Sequence, residues 1–380
     1  MTSRERLLAL LRGDIPDCVP VMPDTSNMIP ARLTGKPFWD LYLYNDPPIW
    51  EAYIDCARHF DVDALMDGYA PLVFPEEHPA HDGPQWERFI VQRTPERIVT
   101  QASYREGGRR VWAKHVDIYR VADPPVHGVS HRVARLPEEP ESWEPLEGVK
   151  PVDLGPENFR RLRRLMGDQG LVGVFVISSC VLGNEQMVYD YYDNPAKYEQ
   201  IAETRIEYGE QRFRRIMAME DRPDFVAVGG SGTLIWQTVE VFRKIALPAL
   251  KHVISLAHEA GMPTHIHSCG PEKELVTIMA EETELTVIDP LEAPPMGDCD
   301  LAQLKRLYGD RIILKGNLHT TDVMLRGSVD DVIAASKQAI DDAGGGGGFI
   351  LSTGDQCGRD TPDDNLRAMV ETARTYGRYG

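Results

Sequence analysis

Eight short apolar runs, alternating with stretches of helical periodicity, constrain this chain more than any other feature. The runs are Val19–Pro23, Val62–Met66, Val172–Ser178, Phe225–Val228, Thr264–His267, Leu285–Asp289, Ile312–Gly316 and Phe349–Ser352. The later ones are separated by expected helices at Val241–Gly261, which closes on glycine, Leu301–Tyr308, Val329–Ala343 and Pro362–Tyr376. The last opens on Asp360-Thr361-Pro362, with proline early in the helix. Such alternation is the signature of βα units and a parallel sheet. Eight of them over 380 residues predict a single α/β domain, a (β/α)₈ TIM-type barrel over residues 1–380.

The stretch from about 89 to 134 breaks the rhythm. Ile98–Tyr104 and Arg109–Val116 flank Arg105-Glu106-Gly107-Gly108 and read as a β-hairpin inserted between the second and third barrel strands. The segment Pro137–Pro151, rich in proline and glutamate, reads as a surface connection. Five glycines, Gly344–Gly348, sit inside a βα repeat, where close backbone packing or a mobile turn is expected.

The formal charge of -18, with no basic stretch to offset it, argues against nucleic acid or an anionic membrane as a partner. The opening Met1–Arg6 leads into an amphipathic helix rather than a signal peptide, and no apolar run is long enough to span a bilayer. Cytoplasm is the default expectation. In that setting the six cysteines are expected as free thiols or metal ligands, not disulfides.

Two of those cysteines carry the candidate chemistry. His267-Ser268-Cys269 ends the fifth run, and Cys357 follows the eighth. One imidazole and two thiolates suit zinc, and three protein ligands leave a coordination position open. A barrel gathers groups from the C-terminal ends of its strands, so these remote residues would meet on one face, with Glu292 after the sixth strand and Asn317 after the seventh. Alternation along a strand makes His265, His267 and Cys269 point the same way, placing His265 one layer below, able to orient a ligand or face substrate. Inert, buried thiols are the competing reading for Cys269 and Cys357. Glu292 reads equally as a displaceable fourth ligand or a solvated loop carboxylate. Asn317 and, more weakly, His319 would bind substrate or cap a turn. Tyr191 and Trp236, with Tyr189 and Tyr192, would line a pocket for a methoxylated ring or simply pack helices.

The segments His265–Gly270, Ile288–Asp298, Lys315-Gly316-Asn317 and Phe349–Gly354 resemble the uroporphyrinogen decarboxylase superfamily. More narrowly, they resemble its zinc-dependent methyltransferase branch, which works with corrinoids. The likeness is strongest from about Leu171 onward. It implies a (β/α)₈ barrel, zinc held by His267, Cys269 and Cys357, and Glu292 in the fourth site until substrate displaces it. It also implies methyl transfer between a corrinoid and a methoxylated aromatic or a thiol, and relatives of this kind often form homodimers. The chain departs from the family by placing Asp355 and Gln356 between Ser352-Thr353-Gly354 and Cys357. No Asp-x-His-x-x-Gly cobalamin signature is present, so a separate corrinoid protein is the expected partner. Decarboxylation is the alternative activity, but Val21–Arg32 holds a single arginine where a polycarboxylate clamp would be needed. A ligand-binding protein with a structural metal site is the non-enzymatic alternative.

Overall fold

The computed structural model describes residues 1–68, 72–74, 77, 83–152 and 155–380. The chain forms two compact units, one of Met1–Thr25, Ala57–Ala70 and Phe159–Gly380, the other of Ser26–Cys56 and Pro71–Asn158.

The first unit carries a seven-stranded sheet. Its strands are β1 (Ala64–Met66), β7 (Gly170–Phe175), β8 (Phe225–Ala227), β9 (Thr264–His267), β10 (Val287–Asp289), β11 (Ile313–Leu318) and β12 (Phe349–Thr353), in that spatial order and all parallel. The sheet curls in the manner of a TIM-type barrel, and seven of the eight apolar runs supply its strands. The eighth, Val19–Pro23, is not a full strand. Its ladder is reduced to a bridge between Val21 and Leu351, because Pro20 and Pro23 carry no N–H to donate. The segment still links the two edges of the sheet. Leu351 N donates to Pro20 O, Met22 N to Leu351 O, and Asp63 N to Val21 O.

Asp63 fastens this seam. Its fully buried carboxylate takes Arg6 Nη1 at 2.6 Å from the opening helix (Ser3–Leu11), Arg374 Nη1 at 2.7 Å from the closing helix (Asp363–Thr375) and Val21 N at 2.8 Å. A buried carboxylate is stable only when paired in this way.

The helices between strands form where capping residues meet an apolar stripe. Ser328 and Asp331 make a reciprocal capping box at the start of Val329–Ala343, and Asp300 accepts from Gln303 N ahead of Leu301–Tyr308. The continuous helix expected over Val241–Gly261 is instead two, Val239–Ile245 and Leu247–Glu259. Pro248 explains the break: it cannot donate to the preceding turn, so the chain restarts with proline in the first turn of the second helix.

The second unit is built on an antiparallel sheet with strands β2 (Glu87–Arg93), β3 (Arg97–Glu106), β4 (Arg109–Arg120), β5 (Val126–Ser130) and β6 (Glu144–Pro145), ordered β5-β4-β3-β2-β6. β3 and β4 pair across Gly107-Gly108, whose φ angles of 54° and 81° are the left-handed values a tight hairpin turn demands. Leu43, Ile90, Ile98 and Tyr119 form part of its core.

Close packing behind β9 generates a test. A Cβ on Gly229 would lie 2.0 Å from Ile266 Cγ1 and 3.0 Å from the Ile266 backbone Cα. Gly229→Ala should therefore lower unfolding stability by about 1–3 kcal/mol in urea titration.

Candidate active site

The register of the sheet sets three polar residues in a row at its C-terminal end. His267 of β9 pairs with Asp289 of β10, and Lys315 of β11 follows the Ile288–Leu314 pair by one step. Asp289 is 2 % exposed and receives every neighbour. His267 Nδ1 lies 3.1 Å from its Oδ1, His265 Nε2 lies 3.0 Å from the same oxygen, and Lys315 Nζ donates to Oδ2. The other ring nitrogen of His265, Nδ1, lies 2.7 Å from Asp67 Oδ2 at the end of β1.

This arrangement fixes the charge states. Burial disfavours ionised Asp289, but Lys315 and the two histidines outweigh it and hold the carboxyl well below its usual range. Burial opposes protonation of His265 too, yet Asp289 and Asp67 push it up to about 8. For His267, burial is again outweighed, here by Asp289 and by a contact with Cys269, raising it to about 12. Lys315 is likewise raised, against the cost of burial, chiefly by Asp289.

The loops beyond the strands complete the site. Glu292 is buried, and its Oε2 accepts from Gly270 N at 2.6 Å, so its carboxylate sits beside the His267–Cys269 turn. Burial, and then the charge of Asp355, raises its pKa. Asn317 Nδ2 donates to Leu291 O at 3.0 Å, which braces the loop carrying Glu292. His319 caps the next turn, accepting from Thr321 N and Asp322 N. Thr233 N donates to Ser268 Oγ, and the exposed Ile235-Trp236 pair continues the same loop; Ile235 packs over Gly270. Tyr191 is 7 % exposed, with its ring edge-on to Tyr192 and Tyr198. That ring is taken up by helix packing.

His267 and Cys269 are thus together, with Glu292 alongside. Cys357 is fully buried, its N–H donated to Asp24 O and its thiol beside the hydroxyls of Thr353 and Thr361. Burial, reinforced by Asp24, pushes that thiol up to about 12. Among the described residues, no three His, Cys, Asp or Glu side chains stand close enough to hold a metal ion. The donor types suit zinc, but the anticipated set of His267, Cys269 and Cys357 is not assembled.

Asp289, Lys315 and Asp67 were not among the residues expected at the site from sequence. Asp289 and Lys315 did leave a signal: each is a charged residue ending or interrupting an apolar run read as a buried strand, where a charge must find a partner. His265, read as facing substrate or orienting a ligand, has both ring nitrogens on carboxylates, Nδ1 on Asp67 and Nε2 on Asp289.

Two outcomes follow from the buried network. Asp289→Asn leaves a buried ammonium and two imidazoles short of their counter-charge and should cost about 3–5 kcal/mol of unfolding free energy; adding Lys315→Met should recover part of it. The folded pKa of His265 exceeds its unfolded value, so its stabilisation is complete below about pH 6.5 and lost as pH rises through about 8. Urea titrations from pH 6 to 9 should show wild type losing on the order of 2 kcal/mol that His265→Gln does not lose.

No helix among the described residues is long and apolar enough to cross a membrane. Along the whole chain, the fold is similar to a methyltransferase from Methanosarcina mazei, with a TM-score of 0.59, 19 % identity and 99 % of each chain covered. In sequence, 142 residues are 33 % identical to the methylcobamide:CoM methyltransferase MtbA of Methanosarcina mazei, covering 37 % of this chain and 38 % of that protein. The MtbA of Methanosarcina acetivorans is 29 % identical over 137 residues, 36 % of this chain and 37 % of its own length. The chain therefore matches well under half the length of either curated relative. Residues 232–376, the segment that carries His267, Cys269, Asp289 and Glu292, match the model of the uroporphyrinogen decarboxylase (URO-D) family.

Proposed function

We propose that this protein is a corrinoid-dependent methyltransferase. It moves a methyl group between a small molecule, a methoxylated aromatic or a thiol, and a corrinoid carried by a separate protein. The observation that carries this reading is the His267–Cys269 pair, anchored by Asp289 at the mouth of the sheet, within the stretch that matches the uroporphyrinogen decarboxylase family.

The reading includes a zinc ion at His267 and Cys269, with Glu292 beside it and a further donor from the loop after β12, which carries Asp355 and Cys357. Bound there, zinc would supply a Lewis acid able to lower the pKa of a thiol or polarise a methoxy oxygen. The chain's own contributions are separate. Asp289 holds His267 Nδ1 and so turns Nε2 outward, as carboxylates commonly do behind metal-binding histidines. Glu292 anchors one oxygen on Gly270 N and keeps the other for a proton or a ligand. Asn317 fixes the Leu291 carbonyl, and Ile235 and Trp236 give the rim an apolar surface that shields a bound ring from water. Homodimerisation and a cytoplasmic location accompany this reading as expectations from the sequence.

Methyl transfer to free cob(I)alamin from a panel of methoxylated aromatics, and from methylcobalamin to thiols, tests the proposal. His267→Ala and Cys269→Ala should each lose zinc and more than the roughly 10–100-fold of activity that removal of a supporting residue costs. Wild-type protein that binds no zinc and transfers no methyl in either direction would sink the reading.

A further inference from the structure

The loop after β7 and the two helices that follow it, Glu185–Asp193 and Pro195–Met217, border a cavity of about 450 Å³. Helical spacing brings Lys197, Ile201 and Arg205 of the second helix to one face, and Met187 and Asp190 of the first to another. Both faces line the cavity, together with Val181 of the loop. Val181, Met187 and Ile201 make much of the lining apolar, and a volume of this size holds a small molecule.

The charges in this wall do not cancel. Asp190 is taken by Lys197 Nζ, by the Tyr198 hydroxyl at 3.0 Å and by Asn194 Nδ2 at 3.0 Å. Arg205 has no such partner among the described residues. Its Nη2 donates to Ser178 O, and its Nε is buried with no acceptor. Burial pulls the guanidinium's pKa down, opposed only by Cys180, a thiol that burial itself keeps protonated. Arginine does not shed its proton in proteins, so a guanidinium withdrawn from water without a counter-charge is a standing cost. An anion seated in the cavity removes that cost.

We infer that this cavity binds a small organic carboxylate, with its charged end on Arg205 and its apolar body against Val181, Met187 and Ile201. A planar guanidinium suits the two oxygens of a carboxylate. A monoanion fits better than a phosphate, because the wall carries one uncompensated positive charge and Asp190 repels a second negative one. The same loop carries Ser179, whose Oγ lies 2.5 Å from Thr233 Oγ1, and Thr233 N donates to Ser268 Oγ. An occupant on Arg205 therefore steadies a loop that is hydrogen-bonded through to the His267–Cys269 turn.

Calorimetric titration with cyclohexanecarboxylate and its neutral amide tests the inference without reference to methyl transfer. Wild type should bind the carboxylate roughly tenfold more tightly than the amide, since hydrogen bonds between ionised partners are the stronger kind. Arg205→Met should abolish that preference, and Ile201→Trp should block binding by filling the cavity. Inorganic phosphate should not displace the carboxylate; displacement overturns the assignment of ligand class. Wild type that binds neither compound, or does not distinguish them, overturns the inference, as does a preference that survives Arg205→Met. Should Arg205→Met not fold, Ile201→Trp decides: carboxylate binding at wild-type affinity overturns the inference, and its loss supports it.

Discussion

The Asp289 carboxylate is the interaction on which the site depends. It is buried at the end of a central strand and meets two imidazoles and an ammonium, each from a residue on a neighbouring strand. An ion pair so far from water adds little net stability over an apolar core, because desolvation offsets most of the attraction. Its value is directional. With His265 held by Asp67 and Asp289, and His267 held by Asp289, neither ring can rotate without exposing an unpaired charge. The orientation of both rings is therefore set from below, by Asp67 and Asp289.

Much of this was legible in the sequence. The apolar runs located seven parallel strands, and His265 and His267, two apart on β9, both reach Asp289. Glu292 follows β10, and its carboxylate accepts from Gly270 N beside the His267–Cys269 turn. What stayed hidden depended on contacts between remote residues. Nothing local marks Asp67 or Asp289 as the partners of two histidines about 200 and 24 positions away. The extent of the second unit was equally obscure, since Ser26–Cys56 groups with Pro71–Asn158 only through the fold.

The loop after β12 separates two residues that sequence alone leaves side by side. Asp355 Oδ1 lies 3.8 Å from His267 Nε2, while Cys357 is fully buried with its sulfur beside the hydroxyls of Thr353 and Thr361. The order of residues along a loop does not say which of them faces the histidine.

The seam at Asp63 has a consequence for the molecule as a whole. One carboxylate receives an arginine from Ser3–Leu11 and another from Asp363–Thr375, so two helices remote in sequence are stapled to a common point. Removing that single negative charge would strand two guanidinium groups at once, so the seam has no partial state in which one helix is held and the other is indifferent.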